Sequence, residues 1–183
     1  MTETENNRKF IYYAASGLLA MLALIGLDQY TKYLAQTLLK GNAPLILIKG
    51  VFQLEYLENR GAAFGMFQNQ KAFIVVTGII ILIIVGYCYC RLPAQRKYNP
   101  LRVLSVVLAA GAVGNMIDRI WHGYVIDFFY FSLIDFPIFN VADIYVVVSM
   151  IALVLLIIFG YKDEDFSFLS LKKKKESGSN TGE

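Results

Sequence analysis

Apolar and polar positions in this chain are segregated into long blocks, without the alternation of a water-facing helix or strand. Four stretches carry no charged residue: Ile11 to Leu27 (17 residues), Ala72 to Cys90 (19), Val103 to Ile117 (15) and Ile144 to Tyr161 (18). A helix of about 20 apolar residues crosses the hydrocarbon core of a bilayer, so the pattern predicts four transmembrane helices. The third stretch is short, but Arg102 at its start can snorkel to the headgroups, and Asn115, Asp118 and Arg119 at its far end point to protein or water rather than lipid. Between the first two spans, Leu45 to Ile48 and Val51 to Leu57 read as extended segments around a turn at Lys49-Gly50. The expected fold is an all-α integral membrane bundle of four helices with a small extracytoplasmic β-hairpin or sheet between helices 1 and 2. Residues 1–161 form its single domain, and residues 162–183 form a disordered Lys-rich cytoplasmic tail.

Composition reinforces the pattern. A chain of 183 residues with 57% hydrophobic and 17% charged residues does not suit a water-soluble globule. A net charge of +3 is too small to suggest nucleic acid as a partner. Cys88 and Cys90, at i and i+2 on a predicted helix, point to different faces, so they are read as packing residues and not as a disulfide or metal pair. Eleven Lys and Arg fall in the N-terminal flank, the loop after the second span and the tail, against six in the other two loops. The positive-inside bias therefore predicts cytoplasmic termini, with residues 28–71 and 118–143 on the outer side. Asp28-Gln29 follows the first span where a signal peptide would need small residues, so that span reads as retained.

The candidate chemistry lies in the two outer segments. Glu58-Asn59-Arg60-Gly61-Ala62-Ala63-Phe64-Gly65 combines polar groups with small residues that permit close backbone approach. Asn115, Asp118 and Arg119 stand at i, i+3 and i+4, on one helix face. Asp127 is embedded in the apolar and aromatic run from Tyr124 to Phe131, and Asn140 and Asp143 open the fourth span at i, i+3, where helix capping alone would account for them. Asp118, Asp127 and Asp143 all fall near one membrane face. Ionisable residues there are costly and point to function. Two carboxylates held together cannot easily both ionise, so they share a proton and supply a general base for water and a general acid for substrate. The spacing leaves open whether Asp118 or Asp127 partners Asp143. His122 has no companion ligands and reads as an interfacial residue, no serine sits in a nucleophile elbow, and neither metal nor cofactor is expected.

These motifs resemble those of the lipoprotein signal peptidases, or signal peptidase II, bacterial membrane aspartic peptidases. The resemblance runs through five blocks in order: Asp28-Gln29-Tyr30-Thr31-Lys32, Asn59 to Gly65, Gly114 to Arg119, Val125-Ile126-Asp127-Phe128, and Phe139-Asn140-Val141-Ala142-Asp143. It implies that Asp127 and Asp143 are the catalytic dyad. It further implies that Asn59, Asn115, Arg119 and Asn140 position substrate or dyad, and that Asp28 and Asp118 hold the site together. The implied substrate is a prolipoprotein carrying a diacylglyceryl-modified cysteine, cleaved just before that cysteine by a monomer in the bacterial plasma membrane, beside lipid. The cysteines here lie inside the second span, so the chain resembles the processing enzyme and not its substrate. Two rival classes are a small transporter or channel subunit using interfacial aspartates, and a structural subunit whose polar blocks merely cap helices.

Overall fold

The computed structural model describes residues 3–61 and 70–169, so the expected motif positions Ala62 to Gly65 and the Lys172 to Lys175 run lie outside the described residues. Four long helices dominate: α1 (Glu3–Leu38), α2 (Lys71–Arg91), α3 (Asn99–Trp121) and α4 (Val141–Gly160). All four are long and apolar enough to cross a membrane. α3 is the central helix and packs against the other three. By contrast, no residue of α2 is buried, and its apolar side chains, such as Ile83, face outward as lipid-facing residues do.

The first helix runs well past the expected end at Leu27 and continues to Leu38. Asp28 and Lys32 therefore stand inside a helix and not in an outer loop. Charge does not end the span, because both side chains turn into the bundle and pair there. The outer sheet also has a strand that periodicity did not predict. Strands β1 (Leu45–Ile48) and β2 (Phe52–Asn59) form the expected hairpin, and β3 (Val125–Tyr130), from the segment between α3 and α4, adds to it in the antiparallel order β1-β2-β3. Pairing of Leu57 with Asp127 and of Asn59 with Val125 extends β2 two residues past the expected Leu57 and brings Asn59 beside Asp127. The continuous apolar character of Val-Ile-Asp-Phe-Phe-Tyr hid the strand, since its first four residues are buried and offer no alternation to read.

A cluster of Ala35, Leu39, Ile126 and Phe128, flanked by Leu54 and Val141, seats the sheet on the end of α1 and the start of α4. At the opposite end the chain does not leave the bundle at Tyr161. A 3-10 segment, Asp163–Leu169, folds back so that Phe166 and Phe168 pack on Leu92, Tyr98 and Leu101. Lys97 pairs with Asp165 at 2.6 Å, and Arg91 donates to the Phe168 carbonyl at 2.8 Å. The packed chain thus continues through Leu169, eight residues beyond the expected domain limit, because Phe166 and Phe168 have an apolar surface to cover.

Two glycines on α3 set its approach to its neighbours. A Cβ at Gly111 would meet the Ala142 carbonyl oxygen at 2.5 Å, and one at Gly114 would meet Asp28 Oδ2 at 2.5 Å. The contact at Gly111 is with backbone, which cannot rotate away. Gly111→Ala is expected to force α3 from α4 and cost about 1–3 kcal/mol. Gly78→Ala, whose Cβ would meet nothing within 4 Å, is expected to be neutral. Thermal unfolding of both variants in detergent measures the difference.

Candidate active site

The polar residues singled out in the sequence converge at one end of the bundle, where α1 and α3 finish, α4 begins and the sheet sits. Asp127 is held in β3 by register with β2. Its neighbour two residues on, Phe129, exchanges backbone hydrogen bonds with Phe139 at 2.8 and 3.1 Å. That bridge ties the residue preceding Asn140 to the strand carrying Asp127. Asn140 then caps α4: its side-chain oxygen accepts from the Asp143 amide at 3.0 Å, while Asp143 Oδ2 accepts from the Asn140 amide at 3.1 Å. The capping role expected for this pair is present, and it is the means by which Asp143 is placed.

The two carboxylates are joined through one residue, Asn140, whose side-chain amide reaches Asp127 and whose backbone N–H reaches Asp143. Asn140 Nδ2 donates to Asp127 Oδ1 at 2.6 Å, and the same residue caps onto Asp143. Asp127 Oδ2 accepts from Asn59 Nδ2 at 2.9 Å, and Asp143 Oδ1 accepts from Asn115 Nδ2 at 2.7 Å. Asp127 is 1% exposed and Asn140 is fully buried, whereas Asp143 is half-buried. Burial, followed by the charge of Asp143, pushes the Asp127 carboxyl up to about 7, against the opposing pull of the Asn59 and Asn140 hydrogen bonds.

Asp118 is a different kind of carboxylate. It lies 3.0 Å from the ammonium of Lys32, which also pairs with Asp28 at 2.9 Å, and all three side chains are buried. Asp118 Oδ2 further accepts from the Ile126 amide at 3.2 Å, and Gln29 donates to Asp118 Oδ1 at 2.9 Å. Asp28 Oδ1 accepts from the Ala142 amide at 2.9 Å, satisfying one of the free N–H groups of the first turn of α4. Of the two carboxylates that spacing could not separate, Asp127 shares Asn140 with Asp143, whereas Asp118 pairs with Lys32. Arg119 donates to the carbonyls of Gly61 at 2.9 Å and Asn115 at 3.2 Å.

Residues 20–159 match the family model described as signal peptidase (SPase) II. The chain belongs to the signal peptidase II family. It is 42% identical over 149 residues to a lipoprotein signal peptidase of Streptococcus thermophilus, covering 81% of this chain and 94% of that one. Identity to a lipoprotein signal peptidase of Caldanaerobacter subterraneus is 45% over 137 residues, covering 74% and 91%. A bacterial membrane enzyme solved by the in meso method at 2.3 Å superposes with a TM-score of 0.71 at 29% identity, over 88% of this chain and 95% of that one. The signal peptidase II fold therefore accounts for the four helices and the small sheet, and the chain is a membrane peptidase.

Sequence reasoning passed over two residues at the centre of this peptidase, the buried Lys32 and the half-buried Gln29. Lys32 falls among the six basic residues assigned to the outer loops, and Gln29 serves only as a motif position and as an argument against a cleavage site. The available signal was the Asp28/Lys32 pair at i, i+4 directly after an uncharged run, a spacing that pairs charges on one helix face. Lys32 Nζ also donates to Asn115 Oδ1 at 3.0 Å, as does Asn140 Nδ2 at 3.1 Å, and these two donors direct the Asn115 amide nitrogen toward Asp143. Removing Lys32 leaves two buried carboxylates uncompensated. Lys32→Met is expected to destabilise the peptidase by about 3–5 kcal/mol, and adding Asp118→Asn to it is expected to recover part of the loss. Unfolding midpoints of the single and double variants measure this coupling.

Proposed function

We propose that this peptidase is an aspartic endopeptidase in which Asp127 and Asp143 form the catalytic dyad, and that it removes the signal peptide from diacylglyceryl-modified prolipoproteins just before the lipidated cysteine. The observation that carries the reading is the pairing of the two carboxylates through Asn140, with Asp127 holding its proton up to about pH 7. Asp143 sits in the first turn of α4, where its carboxylate accepts from two N–H donors, the Asn115 side chain and the Asn140 backbone. The half-buried Asp143 is the general base: it takes a proton from water as the oxygen attacks the scissile carbonyl carbon. The protonated Asp127 gives its proton to the carbonyl oxygen. Collapse of the tetrahedral intermediate breaks the C–N bond, with the proton on Asp143 passing to the leaving nitrogen and a hydroxyl proton of the intermediate returning to Asp127. Asn59, Asn115 and Asn140 hold the carboxylates, Arg119 anchors the Gly61 backbone beside them, and Asp28 and Asp118 hold the helices that carry them.

The substrate assignment rests on the names of the relatives and on the site's position. A carboxylate pair at the ends of apolar spans lets lipid chains stay in the bilayer while the peptide reaches the acids. Charge bias puts both termini in the cytoplasm and the site at the outer face of the bacterial plasma membrane. The dyad is complete within one chain, which supports a monomer, and its two carboxylates need no metal or cofactor for the chemistry. The transport alternative is not favoured. It calls for polar faces running through the spans, whereas the carboxylates here gather at one end and α2 buries no residue.

In detergent, cleavage of a synthetic diacylglyceryl-modified lipobox peptide is expected to fall about 10²–10⁴-fold in kcat for each of Asp127→Asn and Asp143→Asn, with EDTA without effect. Full activity in Asp127→Asn would move the dyad elsewhere. The pH profile gives a second check. Because the Asp127 carboxyl is raised, its proton is present below about pH 7 and lost above it. Activity is therefore expected to decline on the alkaline side of about pH 7, with the apparent value belonging to the pair, and an unchanged rate from pH 6 to 9 would contradict the assignment.

A further inference from the structure

At the opposite end of the bundle from the carboxylates, a furrow of ≈ 360 Å³ opens between α1 and α3, with Tyr89 of α2 as its wall. The two helices run in the same direction, so the furrow is graded along its length. Tyr12, Ser16, Asn99 and Arg102 line the end near the helix N-termini. Ala20, Leu24, Val106 and Val107 line the stretch toward the middle of the bundle. The Tyr89 hydroxyl closes the wall by donating to the Tyr13 carbonyl at 2.7 Å.

Arg102 is buried here and, among the described residues, forms no ion pair with a carboxylate. Its guanidinium lies 4.1 Å from the centroid of the Tyr13 ring and donates to the carbonyls of Leu92 at 3.3 Å, Gln95 at 3.2 Å and Pro93, and to Asn99 Oδ1 at 3.1 Å. Every one of these partners is neutral. Among the described residues at this end, Glu5 pairs with Lys9 and Asp165 with Lys97, and Asp163 and Glu164 are exposed and form no ion pair with Arg102. A buried cation held only by dipoles keeps an unneutralised charge. In a spanning segment such a charge faces a polar ligand or a partner. Arg8, one turn before Tyr12 on the same face of α1, adds positive charge at the mouth.

We infer that this furrow is a binding site for an anionic phospholipid of the leaflet around the N-terminal ends of α1 and α3, its phosphate at the Arg102 end and one acyl chain along Val106, Val107 and Leu24. Polar-to-apolar grading suits a lipid and not a free anion, and basic pockets between transmembrane helices at the cytoplasmic side are where anionic headgroups bind. The volume lies within the ~300–1,000 Å³ of small-molecule sites, enough for a headgroup, its glycerol and the first part of a chain. The site is remote from the dyad and does not depend on the substrate assignment.

Native mass spectrometry of the detergent-purified full chain, titrated with phosphatidylglycerol or with phosphatidylcholine of the same acyl chains, tests this. Phosphatidylglycerol is expected to bind about tenfold or more tightly than phosphatidylcholine, a difference of about 1.4 kcal/mol. Val106→Trp, which fills the apolar half without altering charge, is expected to abolish that binding while leaving peptide cleavage intact. Arg102→Gln is expected to erase the preference between the two lipids, and Ile83→Trp, on the outward face of α2, to change nothing. Equal affinity of the wild type for both lipids would overturn the assignment, as would unaltered phosphatidylglycerol binding in Val106→Trp. Displacement of the lipid by millimolar glycerol phosphate would show a phosphate site and overturn the lipid assignment.

Discussion

The ammonium of Lys32, buried between the carboxylates of Asp28 and Asp118, is the interaction on which the rest of the site depends. A charge of either sign left alone in a membrane-spanning bundle costs several kcal/mol, so the three groups must arrive together. Their second bonds then reach further. Asp28 takes an amide of α4, Asp118 takes an amide of β3, and Lys32 itself reaches Asn115, the residue that donates to Asp143. One cation thereby fixes the relative placement of α1, α3, α4 and the strand that carries Asp127. Gly114 is part of the same arrangement, since any side chain there would occupy the space of the Asp28 carboxylate.

The carboxylate pair differs in that its members are kept unequal. Asp127 emerges from a strand whose first residues are buried, while Asp143 stands half-buried at a helix N-terminus. A shared asparagine links two environments, and the buried one disfavours charge on Asp127. Unequal surroundings of this kind let chemically identical groups take opposite protonation states at one pH. The Phe129–Phe139 bridge maintains the inequality mechanically, because it fixes the separation of strand and helix while leaving Asp143 open on one side.

Much of this was legible in the sequence, and the parts that were not share a physical cause. The four spans, the hairpin and the cluster at one membrane face follow from uncharged runs, a Lys-Gly turn and the positions of Asp118, Asp127 and Asp143 at span ends. The end of α1 was misplaced because Asp28 reads as a boundary when its partners, Lys32 four residues on and Asp118 in another helix, are not yet known to meet. Strand β3 was missed because burial of Val125 to Phe128 removes the alternation that reveals half-exposed strands. The folding back of Phe166 and Phe168 was missed because a polar tail signals disorder until the apolar surface it covers is known. In each case the deciding term was a contact between distant parts of the chain, which local pattern does not encode.

The bond from Asp28 to the Ala142 amide joins the first helix to the last. The chain enters the membrane in order, so when the third helix is in place Asp28, Lys32 and Asp118 are all present, but Asn140 and Asp143 are not. The nascent protein at that stage holds one acid of the pair and an unfilled seat at Asp28. The fourth helix thus completes the polar cluster, since it brings both the amide that Asp28 accepts from and the carboxylate that Asn115 donates to.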